Sequence, residues 1–195
     1  MDPDSAAVGF GGVILAGGTG ARMGGVDKAA VELAGRTLLD HALGAFGDAD
    51  RVVVVAPVGV PTSRPVTFVV EDPPGGGPVA GLLAGADALA GSAAAPSLVG
   101  VLAVDMPRVT AATMRRLRDA AAGHDGAFLV GGDGRRQLAG VLDAARLRAV
   151  RPEPGGQHGM ALHRLLALLD LAEVAASGDE AVDVDSWADL RDLGR

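Results

Sequence analysis

The chain has 195 residues, 49% of them hydrophobic and 21% charged, which is enough apolar material for one substantial globular core. Its formal net charge of −7 argues against a general nucleic-acid binder, and the absence of cysteine excludes disulfides, thiolate metal sites and cysteine nucleophiles. The N-terminus lacks the basic-then-apolar layout of a secretory signal and no uninterrupted apolar stretch reaches membrane-spanning length, so a cytoplasmic location is expected.

Short apolar runs alternate with helical patterns along the chain, which predicts a single α/β domain, 1–195, with a largely parallel sheet. The first run, 13–15, leads into a glycine-rich loop. A helix is expected over 37–46, with Leu38, Leu39, Ala42, Leu43 and Phe46 on one face. Four consecutive valines at 52–55 suit a strand buried on both faces, and 66–70 repeats that pattern before a loop dense in proline and glycine. A helix over 79–89 and a buried strand over 98–104 follow, the latter stopped by Asp105-Met-Pro107. Thr110 is placed to cap a helix carrying Met114, Leu117 and Ala121. Runs at 127–130 and 137–142 read as a hairpin across a glycine turn, 160–169 as a helix, and 182–190 as a short strand turning into a helix capped by Ser186.

Of the 17 lysines and arginines only Lys28 is lysine, and it ends the glycine loop. Lysine is a compact, flexible point charge suited to a phosphate, where arginine brings a planar fork. The loop glycines let main chain approach a bulky anion, and Arg22 and Lys28 supply charge. A Walker loop is absent. The dinucleotide pattern Gly-x-Gly-x-x-Gly begins at Gly18 but meets Met23 where its third glycine belongs. Asp105 ends a buried strand, where open α/β sheets gather ligands, and reads either as a Mg²⁺ ligand or as a cap for the next segment. Asp183 and Asp185 alternate onto one face, either to complete that metal site or to form a solvated acidic turn. Asp72 precedes a second glycine-rich loop ending in Gly81, and is a candidate for bonding a base or sugar, or for closing a turn. His158 and His163 do not share a helix face, and no Ser/His/Asp constellation is present.

The stretch Leu15-Ala-Gly-Gly-Thr-Gly-Ala-Arg22-Met-Gly-Gly-Val-Asp-Lys28 resembles the signature loop of nucleotidyltransferases with a Rossmann-like three-layer α/β/α fold. With Glu71-Asp72, Gly77-Pro-Val-Ala-Gly81, Ala103-Val-Asp105-Met-Pro107 and the tail Asp183-Val-Asp-Ser-Trp-Ala-Asp-Leu190, the order of motifs is similar to the MobA-like, molybdenum cofactor guanylyltransferase branch. The resemblance implies a Mg²⁺-dependent transfer of GMP from GTP to Mo-molybdopterin, with release of pyrophosphate. It assigns Leu15, Ala16, Gly17, Gly18 and Gly81 to the nucleotide, and Arg22 and Lys28 to its phosphates. It gives Asp72 to the guanosine part and Asp105 to the metal, a site that Asp185 is placed to complete. A monomer or weak homo-oligomer is expected.

This chain departs from that pattern at three places. Val55 stands where the family often has asparagine, and Asp183 and Asp185 replace tail asparagines, as in cytidylyltransferase relatives. The stretch Arg135-Arg-Gln-Leu-Ala-Gly140 lacks the usual His/Gln-Pro element near the acceptor. A cytidylyl- or other nucleotidyltransferase with a different acceptor, or a non-catalytic nucleotide-binding partner, are therefore the alternatives.

Overall fold

The computed structural model describes residues 9–17, 23–57, 59–91 and 94–195. After β1 (Phe10–Leu15) come a 3-10 turn at Lys28–Ala30, a small hairpin of β2 (Glu32–Leu33) and β3 (Arg36–Thr37), and α1 (Leu38–Ala45). Next are β4 (Arg51–Val55), β5 (Thr67–Val69), α2 (Gly77–Ala90), β6 (Leu98–Ala103) and α3 (Ala111–Ala120). The chain continues through β7 (Gly126–Val130), β8 (Arg136–Asp143), α4 (Ala144–Ala149), α5 (Pro154–Gln157) and α6 (Leu162–Leu166), and closes with β9 (Leu171–Ala175) and α7 (Trp187–Leu193). Among the described residues no helix is long and apolar enough to cross a membrane.

Seven strands form one sheet in the order β5-β4-β1-β6-β8-β7-β9, parallel throughout except for β8, which runs against both β6 and β7. Alternation along each strand sends side chains to two separate cores. Ile14, Val52, Val54 and Leu102 face α1 and α3, together with Leu39, Phe46, Met114 and Leu117. Val13, Val53, Val99 and Val101 face α2, α4 and α6, together with Leu82, Leu147 and Leu165. The sheet is thus sandwiched between helical layers, and the α/β/α expectation holds.

Several expected elements form for the reasons given by their residues. Thr37 accepts a hydrogen bond from the Asp40 amide at 3.0 Å and starts α1, whose five expected apolar positions are all buried. Thr110 and Thr113 make a reciprocal cap for α3, and Ser186 with Asp189 does the same for α7. In α2, Gly85 lets the helix rest directly on β1, since a Cβ there would lie 2.5 Å from a Val13 methyl.

Other expectations are corrected. The 66–70 run is not a doubly buried strand: only Thr67–Val69 pair, at the sheet edge, with Thr67 exposed and Val70 45% exposed. The helix expected over 160–169 shortens to Leu162–Leu166, because only Leu165 and Leu166 are fully buried and the chain must turn at 167–169 to enter β9. Residues 182–185 form no strand; a single backbone bond, from the Val184 amide to the Asp105 carbonyl at 2.8 Å, ties them to the end of β6.

Candidate active site

The strands on either side of β1 leave in opposite directions along the sheet: the chain steps from β1 outward through β4 to β5, then returns to place β6 on the other side of β1. That reversal opens a crevice at the carboxyl ends of the parallel strands, the usual ligand position in such sheets. The cleft found there has a volume of about 930 Å³, enough for a nucleotide and part of a second molecule.

One wall is main chain and small side chains. Leu15, Ala16 and Gly17 leave β1, held by the Ala16 amide to the Val55 carbonyl (2.9 Å) and by the Val104 amide to the Leu15 carbonyl (3.0 Å). Beside them, Gly75, Gly77, Pro78 and Gly81 bring the first turns of α2 to the cleft, and no side chain caps that helix start. Gly77 has φ +86°, a conformation that glycine adopts without steric cost. A Cβ on Gly81 would sit 3.2 Å from Leu15 Cδ2, so this glycine sets the width of the cleft.

The facing wall carries charge. Lys28 Nζ donates to Asp105 Oδ2 at 3.0 Å and to Asp185 Oδ1 at 2.8 Å. Two carboxylates, 77 and 157 positions from the lysine in the chain, therefore meet it at one point. Each of the three is positioned locally. Asp27 Oδ1 accepts from the Ala29 amide at 3.0 Å and opens the 3-10 turn that starts at Lys28. Asp105 lies two residues past the end of β6. Asp189 Oδ2 accepts from the amides of Asp185 (3.0 Å) and Ser186 (2.7 Å) and from the Ser186 hydroxyl (2.8 Å), which anchors the tail.

The electrostatics follow from this packing. Burial alone would lower the Lys28 ammonium, but its hydrogen bonds to Asp185 and Asp105 outweigh that, and the group is held above the usual lysine value. Asp183 does not reach the lysine. Partial desolvation, and then the neighbouring Asp185 charge, push its carboxyl above the usual range. The Asp189 carboxyl is held low by the Ser186 hydroxyl and amides.

Among the described residues no three carboxylates or histidines converge as a ready-made metal cage. Two carboxylates do converge, on a point already occupied by a cation. That donor set matches Mg²⁺, a hard cation that binds through one or two carboxylates plus substrate phosphates and water.

Of the residues singled out from sequence, Leu15, Ala16, Gly17, Lys28, Gly81, Asp105 and Asp185 all line this cleft. Gly18 and Arg22 lie outside the described residues. Asp72 is exposed and is not among the lining residues; its neighbour Glu71 is, and Glu71 Oε1 accepts from the Gly75 amide at 3.1 Å. Val55, which stands where the family often has asparagine, also lines the cleft, whereas Leu138 on β8 and the positioning carboxylates Asp27 and Asp189 were not among the expected site residues. The two carboxylates were detectable as cap residues, Asp27 ahead of the turn and Asp189 as the third residue after Ser186.

The model of the MobA-like NTP transferase domain matches residues 12–174. The chain is 34% identical over 192 residues to a probable molybdenum cofactor guanylyltransferase of Opitutus terrae, covering 94% of this chain and 93% of that protein. A molybdenum cofactor guanylyltransferase of Acidiphilium cryptum is 49% identical over 78 residues, and there the match spans only 37% of this chain and 39% of the relative. Among solved structures, molybdopterin-guanine dinucleotide biosynthesis protein A of Archaeoglobus fulgidus superposes with TM-score 0.66 at 18% identity, over 94% of this chain and 96% of that one. A 2-C-methyl-D-erythritol 4-phosphate cytidylyltransferase of Thermus thermophilus superposes equally, at 0.66 and 23% identity, over 93% and 96%. At such identities the structures share the fold, and a fold common to proteins of different printed functions leaves base choice to the cleft.

Proposed function

Because the chain belongs to the MobA-like NTP transferase family, we propose that it transfers GMP from GTP to Mo-molybdopterin, with Mg²⁺, and releases pyrophosphate. The observation that carries this reading is the convergence of Lys28, Asp105 and Asp185 beside a cleft walled by main chain and glycine.

In the proposed reaction, a terminal phosphate oxygen of the acceptor forms a new bond to the α-phosphorus of GTP. The bond from that phosphorus to the bridging oxygen breaks, and pyrophosphate leaves with the electron pair. A phosphate monoester is already largely dianionic at neutral pH, its second pKa being about 6, so no protein base or nucleophile is needed. The work left to the protein is positioning and charge stabilisation. Leu15, Ala16, Gly17 and Gly81 shape the nucleotide wall, and Gly18 and Asp72 are assigned to the nucleotide with them. Lys28 is the mobile cation for the phosphates, aided by Arg22, and its raised pKa keeps it charged throughout the neutral range. Asp105 and Asp185 would hold the Mg²⁺, which when bound neutralises phosphate charge. The reaction is assigned to the cytoplasm and to a monomer or weak homo-oligomer.

A cytidylyltransferase is the second reading, favoured by one feature: Asp183 and Asp185 stand where the resemblance to the guanylyltransferase branch implies asparagines. Purified protein with GTP, Mg²⁺ and Mo-molybdopterin is expected to release pyrophosphate, and substitution of CTP is expected to abolish it. Thermal shifts with each of the four nucleotides and Mg²⁺ give an independent check, because specific binding stabilises the folded state by mass action. The largest shift is expected with GTP; a larger one with CTP favours the second reading.

A further inference from the structure

The chain contains one tryptophan, no tyrosine and four phenylalanines. Phe10, Phe46 and Phe128 are buried and Phe68 is partly so, which leaves Trp187, 45% exposed, as the only large aromatic surface open to solvent among the described residues. It stands two residues after Asp185, whose carboxylate touches Lys28. The other exposed large hydrophobics are not scattered. Val26 lies two residues before Lys28, Val182 lies three before Asp185, and Val70 lines the cleft; only Leu168 is elsewhere in the chain. Val70 thus lines the cleft, and Val26, Val182 and Trp187 sit within three residues in sequence of its charged groups, positions from which exposed apolar side chains can serve a binding face.

Trp187 is also held in place. It is the first residue of α7, directly after Ser186, and the reciprocal Ser186–Asp189 cap fixes that turn. Further along, Leu190 and Leu193 dock into the core beneath α1 and α3. On a helix, position 187 is about 60° from 190 and about 120° from 193, so the indole sits at the edge of the buried stripe. The capped turn fixes where the side chain leaves the helix, and the indole stays open to solvent, available as a stacking surface.

We infer that Trp187 is a specificity-determining residue for the acceptor: its indole stacks on the planar pterin ring system while the acceptor's phosphate meets the Lys28–Asp105–Asp185 centre. This rests on the guanylyltransferase reading above. The nucleotide is taken by the opposite wall, of Leu15, Val55 and Gly81, so the ring of the second substrate is the planar group left for this rim. Stacking a heterocycle on an aromatic side chain is worth about 1–3 kcal/mol when tested by alanine substitution.

The test uses the whole chain, whose tryptophan fluorescence comes from Trp187 alone. Mo-molybdopterin is expected to quench that emission, corrected against free tryptophan at the same absorbance, with GTP and Mg²⁺ alone leaving it nearly unchanged. Trp187→Ala is expected to raise the acceptor KM about tenfold or more, leaving the GTP KM within twofold. Trp187→Phe is expected to restore most of the loss, with melting temperature confirming that both variants fold. Wild-type turnover accompanied by no quenching, or by an unchanged acceptor KM in Trp187→Ala, overturns this assignment alone. A wild type that neither releases pyrophosphate with Mo-molybdopterin nor is quenched by it overturns both this assignment and the reading beneath it.

Discussion

The wall of the cleft made by 15–17 and 75–81 offers peptide groups, glycine and small apolar side chains, whereas the facing wall offers one lysine and two carboxylates brought together from far apart in the chain. The first wall is written into the sheet and into α2, so its shape persists as long as those elements fold. The second exists only while three separate local devices hold: the Asp27 turn, the end of β6, and the Asp189-anchored tail. A wall of main chain can bind a nucleotide, but it has no charge to follow the reaction. The charged wall answers to the phosphates, and it is the more exposed to single substitutions.

The largest effects are therefore expected on the charged wall. Lys28→Ala and Asp105→Asn should each lower kcat by about 10²–10³-fold, the range for loss of one preorganised charge-stabilising group. Lys28→Arg keeps the charge but swaps a point for a fork, and should still cost much of the activity; near-normal turnover would reduce the lysine to a generic cation. The same ion cluster has a pH signature. The folded-state pKa of Lys28 is raised, so its stabilising contribution is complete below the usual 10.5 and is lost as pH rises through the higher folded value. The melting-temperature difference between wild type and Lys28→Met should then stay flat from neutral pH upward and change only in strong alkali.

Smaller effects separate positioning from contact. Asp189→Ala removes the acceptor for three donors around Asp185 and Ser186, and should lower the melting temperature slightly and activity about tenfold through misplacement of Asp185. On the other wall, Gly81→Ala should raise the nucleotide KM a few-fold by pressing Leu15 into the cleft, while the helical alanine keeps the melting temperature at or above wild type. A loss of kcat with unchanged KM there would mean that the two walls are not separable. The smallest change is expected from Asp183→Asn. Partial desolvation, and then the Asp185 charge, raise the Asp183 carboxyl above its usual value, so its charged form is less stable in the fold than in the unfolded chain. The amide should raise the melting temperature slightly at pH 7, and that gain should vanish as pH falls below about 4.

How these two walls could be read in the sequence differs in the same way. Strand ends and glycine loops announce themselves, so the first glycine loop and Asp105 are placed in the crevice by the apolar runs before them, while Leu15, Ala16 and Gly17 come to the nucleotide through the family resemblance. α1 was legible because a capping threonine preceded a clean helical stripe. Phase was harder: at the exposed end of β5, one residue decides whether Glu71 or Asp72 faces the cleft, and adjacent side chains of an extended segment point to opposite sides. The tail was read correctly in its helix and cap but not in its strand, because 182–185 owes its course to one long-range bond to Asp105 and not to a local pattern. β9 escaped notice because Leu171–Ala175 is a half-exposed edge strand that pairs only with β7, more than 40 residues earlier in the chain.

The central claim, that the Lys28–Asp105–Asp185 centre serves guanylyl transfer to a pterin phosphate, is tested most directly by pyrophosphate release from GTP, Mg²⁺ and Mo-molybdopterin, run side by side with wild type and Asp105→Asn. Steady release by wild type is expected, with a loss of about 10²-fold or more in the folded variant. Equal release by both proteins, or none by wild type with GTP alongside turnover of another nucleotide, would contradict it.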